Sequence, residues 1–347
     1  MRLERRTHVP LHLLVFAPLG AILMALILAA GLIAAAGVNP LTAYGEMLKG
    51  ALGSRLALSE MLTRATPLIL TGLAAAVAFR ARLWNIGGEG QFFVGALATA
   101  GIGHALGLPG WLGIPLLMFA GMVAGSLLLA GPAYLRLRFG VDEVVTTLLL
   151  NFIVILFVGL MIEGPMRDPL AFGWPSSVPV DGAYRLPDLI PRTRLHIGLL
   201  FAIATAGAVW VILARTVFGA ETRAAGLNAS AAAFAGISLP RTIMGVALLS
   251  GALAGLAGSI EVMGVTAGVT TTMSPGFGYA GIVVAMLAAL HPAGVVAAAV
   301  FVATVFVGAD AMSRATGVPS FIADVIVALC LLSMIVALLF TTYQVRR

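Results

Sequence analysis

The 347-residue sequence predicts an all-α polytopic membrane protein with about ten transmembrane helices in two inverted repeats. Apolar residues make up 61% of the chain, charged residues only 10%, and the mean hydropathy is +1.07. An average soluble domain is roughly 45–50% apolar and about 25% charged. Apolar runs of membrane-spanning length recur along the chain, and two glycine-rich breaks interrupt them. Ordinary soluble domains and disordered chains are excluded because neither can hide this much apolar surface.

The apolar runs define the expected spans within a single membrane domain, residues 1–347. A signal peptide is an alternative for the first run, which follows a basic start. Signal peptides have an apolar core of about 7–15 residues, whereas this run extends from Leu13 to Ala36, so we expect a first transmembrane helix. The predicted helices are 13–36, 61–80, 90–107, 111–135, 143–162, 196–214, 242–263, 279–290, 293–311 and 319–341.

The basic residues indicate orientation. They stand singly between apolar runs rather than in a stripe, which argues against nucleic-acid binding despite the net charge of +6. Twelve of the 20 fall on the cytoplasmic side if both termini are placed there, as the positive-inside rule favours. The expected cytoplasmic segments include 1–12 and 215–241, and the expected extracytoplasmic segments are 37–60 and 163–194.

Segment 37–60 also has a helical apolar pattern. The spacing predicts an amphipathic helix lying on the membrane surface. The apolar face of this helix would contain Tyr44, Met47, Leu48, Leu52 and Leu56.

Two glycine-rich breaks suggest an internal repeat. The first covers 84–91 and the second 274–279, and each lies between one apolar helix and a short one. With the expected topology, the predicted helices 61–162 and 242–341 form two inverted copies. Interrupted helices at matching positions of inverted halves indicate a transport pathway. The alternative is that both breaks are ordinary loops between spans.

The chain lacks its own energy source. A phosphate-binding loop needs Gly-Lys-Ser/Thr at a helix start, and the only lysine, Lys49, follows Leu48. We therefore expect no catalytic residues and no cofactor in this chain. The lone Cys330 leaves no intrachain disulfide or cysteine metal site, and no metal ligands are predicted. Energy would come from a partner, from ions, or from neither in a passive facilitator.

The cytoplasmic segment 215–241 is alanine-rich and bounded by Gly219 and Pro240. Asn228 and Ser230 are suited to cap a short helix over 231–235. Small residues allow close approach, so this segment suits docking to another protein. The alternative is an ordinary connecting loop.

Four motifs carry a resemblance to a known family. Residues 221–226 and 237–240 resemble the EAA loop of ABC importer permeases, with Thr222 and Arg223 between the glutamate and the alanines. Residues 83–91 resemble the NIGxEGQ signature of the simple-sugar and nucleoside branch, within the branched-chain amino acid/ribose permease-like superfamily. Residues 141–151 and 275–282 also resemble that branch.

The resemblance implies a permease subunit that is not itself an enzyme, with a type II ABC importer fold in a bacterial cytoplasmic membrane. Its implied partners are an ATPase subunit that binds ATP and Mg²⁺, a second permease subunit, more often a paralogue, and an extracytoplasmic substrate-binding protein. The implied ATPase-coupling residues are Glu221, Thr222, Arg223, Ala224, Ala225, Gly226 and Asn228.

Polar and aromatic residues near the breaks are candidates for the substrate pathway. Amides at the first break suit sugar hydroxyls or bases, and aromatic rings at the second suit stacking on a flat ring. Glu89 is costly at membrane depth, so it is functional, paired with Arg82, or stabilised by the helix dipole. The candidates are Asn85, Glu89, Gln91, Thr147, Asn151, Phe277 and Tyr279, of which Thr147 and Asn151 share a helix face.

Other acidic residues keep a second function class open. Asp142 and Glu143 begin a helix, where its dipole favours negative charge. Glu261, Asp310 and Asp324 are expected at exposed span ends. An ion-coupled secondary transporter would use such carboxylates, and this class and a passive facilitator are the alternatives.

Overall fold

The computed structural model describes residues 2–5, 11–171 and 173–346, with side chains described for 16–171 and 173–337. These residues form thirteen α-helices, a 3₁₀ turn (Gly182–Tyr184), a π-helical turn (Val262–Thr266) and two short antiparallel strands. The elements are β1 (Arg2–Arg5), α1 (Leu11–Ala35), α2 (Pro40–Leu52), α3 (Arg55–Arg80), α4 (Gly88–Gly103), α5 (Gly110–Phe139), α6 (Glu143–Glu163), α7 (Gly198–Arg215), α8 (Val217–Leu227), α9 (Ala229–Phe234), α10 (Leu239–Glu261), α11 (Phe277–Leu287), α12 (Pro292–Thr316), α13 (Ile322–Thr342) and β2 (Tyr343–Arg346).

All ten predicted spans are helices: α1, α3 to α7 and α10 to α13. Among the described residues, seven helices are long and apolar enough to cross a membrane alone, by length and composition. The helices after the breaks are shorter, with 16 residues in α4 and 11 in α11. At a rise of about 1.5 Å per residue, α11 covers roughly half of the hydrocarbon core, as a helix beside a break should.

The second predicted span begins earlier than expected. The hydropathy pattern predicts 61–80, whereas α3 begins at Arg55. The Ser54 hydroxyl caps it by accepting the amide of Ala57 at 3.1 Å. Hydropathy does not indicate residues 55–60 because Arg55 and Glu60 are charged. Glu60 lies one turn before Arg64, with atoms 3.7 Å apart.

The amphipathic helix predicted in 37–60 exists as α2, and it also packs on the protein through a face of small residues. Ala43, Met47 and Ala51 are buried, and the helix packs on α12. Leu48 and Leu52 are exposed, and exposed Leu56 belongs to α3. The small residues Ala43 and Ala51 permit this close helix contact, which hydropathy alone does not indicate. Tyr44 is partly buried, and its hydroxyl donates to the Leu26 carbonyl at 2.6 Å.

The two halves exchange their first helices. In the first half, α3 packs on α11 and α12 of the second half. In the second half, α10 packs on α4 and α5 of the first half. The remaining contacts also correspond, with α4 against α5 and α6 in one half and α11 against α12 and α13 in the other. The predicted repeat is therefore confirmed, and its copies are interlocked.

Hydrogen bonds show that the copies are inverted. Asn85, just before α4, bonds Ser250 at 3.0 Å, and Thr99 bonds Ser259 at 2.8 Å, so α4 runs parallel to α10. The chain reverses between α3 and α4 over residues 81–87. Thus α3 and α10, the first helices of the two copies, run in opposite directions.

The connections lie on two opposite faces. One, here called the α8–α9 face, comprises 80–87, 136–143, 215–241 and 288–292, and Arg80 donates there to the Leu290 carbonyl at 2.9 Å. The other, here called the long-loop face, comprises 36–60, 163–197, 262–276 and 317–321, where Ser177 donates its amide to Val269 at 2.9 Å. Pairing of β1 with β2 places both described chain ends on one face, in agreement with an even number of spans.

Candidate transport pathway and docking segment

A closed set of amide and hydroxyl hydrogen bonds holds the first break. The Asn85 and Gln91 side chains bond each other twice, each at 2.9 Å. Asn85 also donates to Ser250, whose hydroxyl donates to the Ala74 carbonyl at 2.8 Å. All three polar side chains are buried. These bonds join the break to α3 and α10, which satisfies the backbone and amide groups that a membrane interior cannot solvate.

Helix α6 fixes the same break from the other side. Asn151 donates its amide to the Ile86 carbonyl at 2.9 Å and accepts the Gly90 amide at 2.8 Å. The Thr147 hydroxyl accepts the Ile86 amide at 3.3 Å. The two residues share one buried face of α6, as their spacing predicts. Their polar groups therefore replace the hydrogen bonds that the interrupted helix lacks.

Glu89 joins the two breaks. Its carboxylate accepts the backbone amide of Gly278 at 2.6 Å, and the residue is only 3% exposed. Gly278 lies in the first turn of α11 and Glu89 in the first turn of α4. The carboxylate thus lies at two helix N-termini, where the dipoles stabilise negative charge. The suggested pairing with Arg82 was wrong, because the Glu89 side chain points to the second break and binds the Gly278 amide instead.

The aromatic candidates separate at the second break. Phe277 is buried and packs on Phe92 with ring centroids 5.9 Å apart. Tyr279 is 37% exposed, and its hydroxyl accepts from Asn151 at 3.2 Å. Its ring lines a cavity of about 390 Å³ between α11, α12 and α13. Among the seven pathway candidates, Tyr279 alone has a substantially exposed side chain.

An ion pair that the sequence reasoning missed supports the first break. Glu143 is buried and accepts from Arg136 at 2.7 Å and from the Trp84 amide at 3.2 Å. Arg136 also donates to the Arg82 carbonyl at 2.9 Å. The sequence does contain a signal for this ion pair, because Arg136 and Glu143 carry opposite charges and flank the turn between α5 and α6. Asp142 caps α6 by accepting the Val144 amide at 2.8 Å, in agreement with the expectation of a helix start.

The docking segment, residues 215–241, forms α8 and α9. Asn228 caps α9 as predicted by accepting the Ala231 amide at 3.1 Å, whereas Ser230 lies within the helix and does not cap it. The expected coupling residues face different ways. Thr222, Ala225 and Gly226 are buried against the protein itself. Of the others, Glu221 and Ala224 are partly buried, and Arg223 and Asn228 are exposed.

Contacts from α8 reach both inverted copies. A Cβ on Gly226 would overlap the carbonyl of Arg80 at the end of α3, so the backbones touch. Glu221 accepts from Thr242 of α10 at 3.3 Å. This short helix therefore contacts α3 and α10 together.

The same segment exposes large apolar side chains that the sequence reasoning did not single out. Phe234 is 96% exposed, and Leu227 and Val217 are also exposed. No local sequence signal identified them, since their exposure depends on how α8 and α9 dock. Val217 and Leu227 lie at the two ends of α8 and Phe234 at the end of α9, and we call these three exposed residues the apolar patch.

The acidic residues at the span ends do not share one environment. Glu261 was expected to be exposed but is 6% exposed, because the long loop covers the end of α10. Asp310 is partly exposed and pairs with Arg64 at 2.8 Å. Asp324 is exposed, as expected.

Comparison with known proteins gives a consistent family. Residues 57–340 match the family described as "Branched-chain amino acid transport system / permease component". The chain is 35% identical to the glucose ABC transporter permease protein TsgB13 of Haloferax volcanii, over 99% of this chain and 93% of that protein. It is 35% identical to the guanosine ABC transporter permease protein NupP of Bacillus subtilis, over 92% of each.

Among solved structures, PsaBC from Streptococcus pneumoniae in complex with Fab is similar with a TM-score of 0.45 and 11% identity, over 85% of this chain and 95% of that one. The sequence matches and the apolar helices together define a multi-pass membrane transport component. The chain belongs to the branched-chain amino acid transport system permease family and is a permease subunit of the ABC transporter type.

Proposed function

We propose that this permease moves nucleosides or simple sugars inward across a bacterial cytoplasmic membrane, and that a partner subunit binds and hydrolyses ATP with Mg²⁺. The support is the set of relatives, whose names specify glucose, guanosine and nucleosides at 33–35% identity over most of this chain. Import of such solutes needs a wet, polar path and no covalent step by the permease.

The proposed complex contains two permeases, ATP-binding subunits and an extracytoplasmic binding protein. Two guanosine permeases of Bacillus subtilis, NupP and NupQ, both match this chain, at 35% and 28% identity. Lactococcus lactis likewise has NupB and NupC, which match at 33% and 26%. Pairs of unequal relatives within one organism support a paralogue, rather than a second copy, as the other permease.

The observation that carries the proposal is the apolar patch on α8 and α9. Large apolar side chains exposed to water are costly unless a partner covers them. The patch lies on the α8–α9 face, where no described element covers it. A groove in an ATPase subunit would bury it, and the positive-inside rule favours the cytoplasm for this face.

Motion of the docked segment has a direct route to the breaks. Gly226 abuts the end of α3, and Glu221 bonds α10, the first helices of the two inverted copies. Helices α3 and α10 also hold the breaks, through Thr71 to Phe277 at 2.9 Å and Ser250 to Asn85. We propose that ATP-driven movement shifts α3 against α10 and separates the Glu89–Gly278 contact.

The test is uptake by proteoliposomes that contain this permease, its paralogue and the ATPase, with the binding protein and labelled guanosine or glucose added outside. Phe234→Ser should reduce ATP-dependent uptake at least about fivefold, since buried aromatic anchors contribute roughly 1–2 kcal/mol or more to docking. The matched control is Phe321→Ser, which changes a phenylalanine that is 75% exposed on the opposite face. Its uptake should stay near the wild-type rate.

Two results would overturn the proposal. Equal uptake by the Phe234 and Phe321 variants would exclude ATPase docking at the patch. Accumulation by vesicles that hold this chain alone, driven by an ion gradient without ATP, would instead favour a secondary transporter.

A further inference from the structure

A second cavity, of about 410 Å³, opens on the long-loop face. It lies between α3, the end of α10, α12 and the start of α11, and Arg194 of the long loop borders it. Its volume falls within the range of about 300–1,000 Å³ that small-molecule sites occupy. None of the pathway candidates except Phe277 borders it.

Glu261 is the unusual group in this cavity. It is the last residue of α10, immediately before the π-helical turn, and turns of this kind are frequent at functional sites. The residue is 94% buried, since 6% is exposed, yet within the described residues its carboxylate has no hydrogen-bond or ion-pair partner.

The carboxylate must face the cavity. Every fully enclosed side-chain nitrogen or oxygen in the described part of the chain has a hydrogen-bond partner. An unpartnered carboxylate therefore keeps an accessible oxygen, and Glu261 borders this cavity. A carboxylate oxygen that reaches a cavity without a protein donor is satisfied by water or by a ligand.

The other walls supply complementary chemistry. Arg64 lies 2.8 Å from Asp310, and the largely exposed Arg194 lies 3.8 Å from Glu60, so each guanidinium group has a carboxylate beside it. The lining also includes the apolar side chains of Met273 and Phe277. Paired donors and acceptors beside apolar side chains fit a ring that carries hydroxyls on its edge and C–H groups on its face.

We propose that this cavity is a solute site for a neutral polyhydroxylated ring, a monosaccharide or the ribose of a nucleoside, with Glu261 accepting hydrogen bonds from adjacent hydroxyls. The inference rests on the proposed function and adds a site within one copy of the chain. Hydroxyls donate to Glu261 and accept from guanidinium groups, so one ring satisfies both. Two guanidinium groups and three carboxylates line the cavity, and each arginine lies beside a carboxylate other than Glu261, so Glu261 is the acceptor left for a solute hydroxyl.

The site is next to the second break. Phe277 borders the cavity, and its neighbour Gly278 bonds Glu89 of the first break. A solute in this cavity would therefore contact the first residue of α11. The proposed transport movement displaces this start of α11.

The test is equilibrium binding to the purified full-length chain in lipid nanodiscs, without ATPase. The probes are radiolabelled D-glucose and guanosine, with unlabelled 2′,3′-dideoxyguanosine and ethylammonium as competitors. Wild type should bind glucose or guanosine and prefer guanosine over its dideoxy analogue at least about tenfold, since unpaired polar groups in a built site penalise the analogue. Glu261→Gln should remove that preference, and Glu163→Gln, an exposed carboxylate on the same face, should keep it.

A second variant separates binding from folding. Thr272 is exposed at the cavity mouth, so Thr272→Trp should fold normally and block binding without changing charge. Thermal unfolding of each variant checks its fold. Absence of glucose and guanosine binding by wild type, an unchanged hydroxyl preference in both cavity variants, or competition by ethylammonium alone would overturn the site. Continued ATP-dependent uptake in any of these cases would leave the proposed function standing.

Discussion

At the residue scale, glycines bring the helices into backbone contact. Gly121 and Gly125 of α5 meet Gly251 and Gly255 of α10, and Gly95 of α4 also meets Gly255. Both pairs have the spacing of the small-residue packing motif, which allows close approach in lipid. Because lipid is as apolar as leucine, this close fit rather than burial from water holds α10 against its neighbours.

We predict that Gly125→Ala destabilises the protein by about 1–3 kcal/mol, the usual cost of overpacking. Its Cβ would overlap the backbone of Gly251, which cannot rotate away as a side chain can. The control is Gly131→Ala in the same helix, where a Cβ meets nothing within 4 Å. Thermal unfolding in nanodiscs should show a lower midpoint for the first variant only. Equal midpoints would contradict the prediction, because they would show that α5 and α10 can move apart without loss of free energy of unfolding.

The sequence predicts that Glu89 is important, but it does not predict its partner. Its position in an apolar region predicted a functional or stabilised carboxylate, and the first turn of α4 agrees with the dipole interpretation. Its partner, the amide of Gly278, is 189 residues away. No local sequence pattern relates residues so far apart, so the contact between the two breaks is visible only in the folded structure.

At the element scale, the long loop is folded onto the end of α10 and the π-helical turn. Val180 donates its amide to Ala267 at 2.8 Å, and Leu186 donates to Met263 at 3.0 Å. Buried His196 accepts the Gly198 amide at 3.1 Å through Nδ1, immediately before α7. The loop was predicted only as a polar connection because its prolines and arginines suggest exposure.

The pKa of His196 gives a pH prediction. Burial, with a further contribution from Arg185, lowers it to about 4, although Asp188 acts in the opposite direction. The unfolded pKa is about 6.5, so the neutral ring is favoured in the fold. The resulting stability is complete above about pH 6.5 and is lost as the pH falls toward 4, by up to about 3 kcal/mol.

Hydrogen exchange of segment 175–197, corrected for the intrinsic pH dependence, should therefore show weaker protection at pH 5 than at pH 7.5. His196→Gln removes the titrating group and should abolish the difference between the two pH values. A loop with equal protection at both pH values in wild type would contradict the assignment.

At the scale of the whole molecule, the interlocked halves determine which movements are possible. Because α3 lies among second-half helices and α10 among first-half helices, neither half can move as a separate unit. Relative motion must instead occur along the α3–α10 contact and the two breaks. This is why the proposed transport movement uses those elements.

Orientation is testable at the same scale. In a Cys330→Ala background, Ser230→Cys on α9 should resist membrane-impermeant thiol reagents in intact cells, and Ser320→Cys on the opposite face should react. Both positions are exposed in the fold, so access depends on the membrane alone. The reverse pattern would invert the orientation and place the apolar patch outside the cell.

Span length, the cost of a charge in lipid and helix capping are local properties, so the ten spans, the two breaks, the repeat and the short capped helix are predictable from the amino-acid sequence. Which helix faces are buried depends on the fold. The most enclosed span, α3, is less apolar than the largely exposed α6. Lipid and protein interior are both apolar, so hydropathy does not separate them, and the exchange of α3 and α10, the Glu89 contact and the burial of Glu261 emerge only from long-range packing.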